Sequence, residues 1–147
     1  MIVENPKIEK HEIQDEVKKR LAKYEKLSFL EEYAMYLGVT QFLEFSLKSL
    51  LVRKFNYDLD DLEKKSLGQT KELLKKNKVR NDFIYLLESV IDYRNYIAHE
   101  LLFNRAIISE YIPNNHYDKD YRLLHKAIYE LEQLVFLLEW TNEHDAW

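Results

Sequence analysis

Glycine and proline each occur only twice in 147 residues, as Gly38, Gly68, Pro6 and Pro113. That scarcity limits the fold more than any motif does. A sheet-rich chain reverses every few residues and depends on these two residue types to turn. A chain nearly without them runs in long helices. The content, 46% hydrophobic and 33% charged, belongs to a folded protein rather than a disordered one. The length fits one domain over 1–147, with 1–7 as a loose leader. There is no cysteine, which removes disulfides, thiolate nucleophiles and cysteine-based zinc sites.

Apolar periodicity divides the chain into four or five helices, predicting an all-α antiparallel bundle. Ile13, Val17, Leu21 and Tyr24 mark an amphipathic helix from Ile8 to about Lys26. Ser28 and Glu31 form a capping-box pattern that opens a second helix, running to about Phe55. Its apolar residues include Leu30, Ala34, Leu37, Phe42, Phe45, Leu47, Leu50 and Leu51, and Gly38 offers a bend or a close helix contact. A turn with a capping Asp follows at 57–61, then a shorter helix from Leu67 or Gly68 to Lys76. The next helix is expected from Val79 to about Phe103. Ile112-Pro113-Asn114-Asn115 is the clearest break, within an irregular loop over 104–117. Asp118 or Asp120 is expected to cap the last helix, whose seam is Leu124, Ile128, Leu131, Val135 and Leu138.

The chemistry concentrates in Arg94-Asn95-Tyr96-Ile97-Ala98-His99. A guanidinium can fork onto phosphate oxygens, and an imidazole moves protons near neutral pH. Phe83, Leu87, Val90, Ile97 and Leu101 form an apolar stripe, and Arg94 falls in its gap, on the core-facing line. No carboxylate lies three or four residues from Arg94, so its partner must come from another helix, another subunit or a ligand. Glu88, Asp92, Asn95 and His99 make a polar line along the same helix. On a regular helix Arg94 and His99 differ by about 7.5 Å in rise and about 140° in angle. They share a face only if one chain distorts, by Arg94 bending round or the helix kinking, or if two copies of the motif meet across a two-fold axis.

The net charge is −4, which argues against a general nucleic-acid coat. Its distribution is uneven: 17 basic and 14 acidic residues lie in 1–80, but 5 and 12 in 81–147. Lys64, Lys65, Lys71, Lys75, Lys76, Lys78 and Arg80 face a single acid, Glu72, within 64–80. The segment reads as a solvated helix face and, secondarily, as a phosphate contact.

Arg94-Asn95 followed by His99 resembles the Arg-x4–6-His motif of the HEPN superfamily of small helical domains, in which Asn often follows the Arg. The helix order and the Ser66-Leu67-Gly68 segment opening an upstream helix are similar too. The resemblance implies a metal-independent endoribonuclease of toxin or phage-defence type, working as a homodimer with its site at the subunit interface. It makes Arg94 and His99 the catalytic pair, and Asn95, Tyr96, Lys75, Lys76 and Lys78 substrate-binding or orienting residues. The products would carry a 2′,3′-cyclic phosphate and a 5′-hydroxyl. An antitoxin protein is an implied partner. Some relatives carry, two residues after the His, a tyrosine that a partner nucleotidyltransferase modifies; here that position is Leu101. Other HEPN-like domains are binding or dimerisation modules, the alternative reading.

Other chemistries have less to stand on. His11, His99, His116, His125 and His144 lack zinc-site spacing, so no metal or cofactor is expected. Two distant glycines cannot build a phosphate loop. Residues 1–6 lack the basic and apolar regions of a signal peptide. The apolar run Leu134 to Leu138 is too short to span a membrane. The expectation is a cytoplasmic protein without membrane contact.

Overall fold

Two serines set where helices begin. The Ser28 hydroxyl accepts the Glu31 amide at 3.2 Å while Glu31 accepts the Ser28 amide at 3.1 Å. Ser66 and Gln69 repeat the exchange at 3.1 and 2.9 Å. Each box satisfies amide donors that a helix start leaves unpaired. In this computed structural model, which describes residues 7–103, 105 and 117–147 (Tyr117 and Asp118 by backbone alone), the boxes open α2, Phe29–Phe55, and α4, Leu67–Lys76. The remaining helices are α1, Lys10–Leu21, α3, Leu59–Leu62, α5, Asn81–Tyr96, and α6, Tyr117–Glu143. A 3-10 turn, Ala22–Tyr24, follows α1, and a π turn, Ile97–Leu101, follows α5. The described residues are all-α, as the sequence predicts.

Pairings between helices give their directions. Arg20 meets Glu139 at 2.5 Å and Tyr24 meets Glu132 at 2.7 Å, so α1 runs against α6. Ser89 donates to Glu130 at 2.6 Å, and Phe83 packs edge-on against Trp147, so α5 also opposes α6. Glu32 with His125 and Lys54 with Asp145 show α2 running alongside α6 in the same direction. That is an up-down-up-down bundle of α1, α2, α5 and α6. α4 packs on α5 and α2 at the side.

The core forms where the stripes meet. Phe83, Leu87, Val90, Ile97 and Leu101 are all buried, as are Leu124, Ile128, Leu131, Val135 and Leu138. Each such side chain contributes about 1.5–3 kcal/mol by leaving water. α2 departs from expectation. Its buried line is Phe29, Tyr36, Thr40, Leu43, Leu47, Leu50 and Leu51, whereas Leu30, Phe42 and Phe45 are 62%, 55% and 64% exposed. With apolar residues on every side, the sequence of α2 does not say which face turns inward.

Several local expectations change. The first helix ends in a 3-10 turn at Tyr24 rather than continuing to Lys26. α2 passes unbroken through Gly38, and a Cβ placed there would meet nothing within 4 Å, so no close contact among the described residues explains this glycine. Asn56 ends α2 in the left-handed region, with the Tyr57 amide returning to the Leu51 carbonyl. Asp58 caps α3, as its composition suggests. Asp118 and Asp120 lie inside α6. The leader 1–6, Pro113 and most of the expected loop lie outside the described residues; Arg105, placed in that loop, is helical.

Candidate active site

The site is built where α5 changes its winding. Arg94 lies in the last turn of α5, and His99 lies in the middle of the π turn. An i→i+5 turn closes a wider ring than an α turn, so each residue advances less about the axis. The angle separating His99 from Arg94 is therefore smaller than the 140° of a regular helix. Distortion of the helix, one of the two routes by which these side chains approach a common face, is present within a single chain.

Among the described residues neither side chain is engaged by a charged partner. Arg94 is half-buried and donates a long hydrogen bond, 3.4 Å, to the Asn95 side-chain oxygen. Among the described residues it has no ion pair, so of the three sources of a partner, another helix supplies none there. His99 is exposed and, among the described residues, makes no hydrogen bond or ion pair. Asn95 is exposed, one helical turn before His99. Ile97 and Leu101 anchor the π turn from below, both fully buried.

Beneath Arg94 lies a group that sequence reading misses. Tyr36, from α2, is fully buried and, among the described residues, its hydroxyl has no hydrogen-bond partner. Burial pushes its phenol well above the ordinary range, the Arg94 guanidinium pulls it down, and Glu130 and Tyr93 push it up again. In sequence Tyr36 reads as one more core aromatic; only the packing of α2 against α5 and α6 brings it near Arg94.

A groove of about 550 Å³ opens between α5 and α6, lined by Ser89, Asp92, Tyr93, Tyr96, Lys119 and Leu123. Tyr96 thus belongs to a concave surface beside the motif. The lysines behave differently. Lys75 and Lys71 both lie 3.6 Å from Glu88, the first residue of the expected polar line. Lys71 also pairs with Glu72 at 3.1 Å, and this bond raises the Lys71 ammonium and lowers the Glu72 carboxyl from their usual values. Lys76 ends α4 and Lys78 sits in the turn before α5. α5 is 16 residues long, so that turn is about 24 Å along the axis from the motif. The structure does not bring Lys76 and Lys78 to Arg94 and His99.

Of the other histidines, His125 contacts Glu32 at 3.0 Å and His144 stacks on Trp140 and contacts its carbonyl at 2.8 Å. Among the described residues no three of His, Asp and Glu gather as a metal-ligand set, and no helix is long and apolar enough to cross a membrane. Comparison of the chain with known families, with curated proteins and with solved structures finds no match.

Proposed function

We propose that this protein is a metal-independent endoribonuclease of the HEPN type, a toxin or phage-defence effector acting in the cytoplasm as a homodimer. The observation that carries the reading is the pair Arg94 and His99. Both approach solvent across a π turn, and no described residue neutralises either. A half-buried guanidinium without a carboxylate is costly to keep for structure alone, whereas an anionic ligand would complete it.

In the proposed reaction His99 takes the proton of a ribose 2′-hydroxyl as its oxygen attacks the adjacent phosphorus. The bond to the 5′-oxygen breaks, that oxygen takes a proton from solvent water and leaves as a 5′-hydroxyl, and a 2′,3′-cyclic phosphate remains; the imidazolium then returns its proton to water. Arg94 stabilises the charge that accumulates on the pentacoordinate phosphorus. Asn95 orients substrate or the guanidinium it touches. The partner protomer would supply a second copy of the motif to the same cleft, and an antitoxin protein would restrain it. The test is cleavage of a fluorescent single-stranded RNA in EDTA by wild type and by His99→Ala. Cleavage by wild type alone, leaving cyclic phosphate ends, supports the reading; equal outcomes from two folded proteins reject it.

A second reading, a non-catalytic helical dimer that binds a protein or nucleotide, is favoured by a different observation. Leu30, Met35, Phe42 and Phe45 leave an exposed apolar strip on α2, and such patches mark interaction surfaces. In that case Arg94→Ala and His99→Ala leave function intact, while Phe42→Glu with Phe45→Glu abolishes association.

A further inference from the structure

We propose that the groove between α5 and α6 is a nucleobase pocket that selects guanine, with Asp92 reading the base. The inference rests on the nuclease reading for its biological sense but not for its geometry.

The pocket's α5 residues, Ser89, Asp92, Tyr93 and Tyr96, run up to the motif and into it, and Lys119 and Leu123 come from α6. Its volume of about 550 Å³ lies in the range of small-ligand sites. Two tyrosines and a leucine provide the apolar surface on which unstacked bases rest. Tyr93 has the Lys126 ammonium beside it, 5.9 Å from its ring centre.

Asp92 supplies the selectivity. The neighbouring acids are occupied: Glu88 by Lys71 and Lys75, and Glu130 by the Ser89 hydroxyl. Asp92 is exposed and, among the described residues, has no hydrogen bond or ion pair. A carboxylate repels a phosphodiester, so beside an RNA site its complement is a base edge made of donors. Guanine alone of the four bases presents two adjacent donors, N1–H and the 2-amino group, spaced for both oxygens of one carboxylate. Adenine and cytosine set an acceptor nitrogen beside their amino group, and uracil flanks its single N–H with carbonyls. The Lys119 ammonium, on the α6 side, complements the O6 and N7 acceptors of the same base.

The experiment is calorimetric binding of 5′-GMP, 5′-IMP and 5′-AMP to the full chain, wild type and Asp92→Asn, with circular dichroism to confirm folding. IMP differs from GMP only in lacking the 2-amino group. GMP is expected to bind wild type at least about fivefold more tightly than IMP, the lower bound for a bidentate contact. Asp92→Asn should erase that difference. Lys119→Met, a second variant on the other helix, should weaken GMP and IMP together and leave AMP unchanged. Equal binding of GMP and IMP, a preference that survives Asp92→Asn, or no binding at millimolar nucleotide overturns the proposal. The nuclease reading fails separately. Asp92-dependent GMP binding by a protein that cuts no RNA keeps the pocket and removes the nuclease. His99-dependent cleavage without GMP binding does the reverse.

Discussion

The hydroxyl of Tyr36 is fully buried without a hydrogen-bond partner among the described residues, and the guanidinium of Arg94 is the neighbouring charge that favours its ionised form. An orphaned buried hydroxyl costs about 1–3 kcal/mol, and removing it at constant ring volume recovers part of that. Tyr36→Phe is therefore expected to be neutral or stabilising by up to about 1 kcal/mol, read from the urea midpoint. A loss above that size would mean that the hydroxyl has a partner in solution.

Arg94→Ala and His99→Ala should separate activity from folding. Neither side chain holds an ion pair among the described residues, so each change should alter stability by less than about 0.5 kcal/mol. RNA cleavage should fall by about 10² or more. Arg94→Lys should not restore it, because an ammonium cannot fork onto two oxygens. Single-turnover cleavage beside urea denaturation checks both halves.

The Tyr24–Glu132 contact is a buried load on the bundle. Glu132 is 0% exposed, takes the Tyr24 hydroxyl at 2.7 Å and Lys23 at 2.5 Å, and its other oxygen has no partner among the described residues. Burial first, then this carboxylate, raises the Tyr24 phenol far above its ordinary range, so it stays a donor. Tyr24→Phe should cost about 1.5–3 kcal/mol, as for a hydrogen bond to a charged group. Denaturation at pH 7 measures it.

Acid should weaken the start of α5. Burial raises the Asp82 carboxyl, but bonds from Arg80 at 2.7 and 2.8 Å and from the Phe83 amide outweigh it, leaving a net depression. A carboxyl depressed in the folded state contributes stability that is full above its unfolded pKa, near ~3.9. That contribution disappears as pH falls through the lower folded value. The pair is largely exposed, so the effect is below about 1 kcal/mol. Asp82→Asn should flatten the fall in urea midpoint between about pH 4 and pH 2.

Caps offer a simpler check. Ser28→Ala and Ser66→Ala each remove one half of a complete box and should cost about 1 kcal/mol apiece. Being on different helices, the two losses should add.

Most of the helix boundaries are legible because their causes are local. A serine three residues before a Glu or Gln fixes a helix start through its own backbone. The seam Leu124 to Leu138 declares its face through spacing alone. The α2 face is not legible: Phe42 and Tyr36 are equally apolar in the sequence, and only contact with α5 and α6 selects Tyr36 for the core. The setting of the cationic segment is likewise decided by packing: Lys75 pairs with Glu88 midway along α5, and Lys78 lies in the turn that precedes that helix.

By itself the sequence determined an all-helical chain, its caps, its two clearest core stripes and the Arg94–His99 spacing, since each depends on residues within one or two turns. Tertiary structure decided the rest: the burial of Glu132 and Tyr36, the absence of a described carboxylate partner for Arg94, and the groove holding Asp92 and Lys119 together. Those features depend on groups far apart in the chain, and their free energies are set by desolvation and packing geometry, which no local pattern of residues encodes.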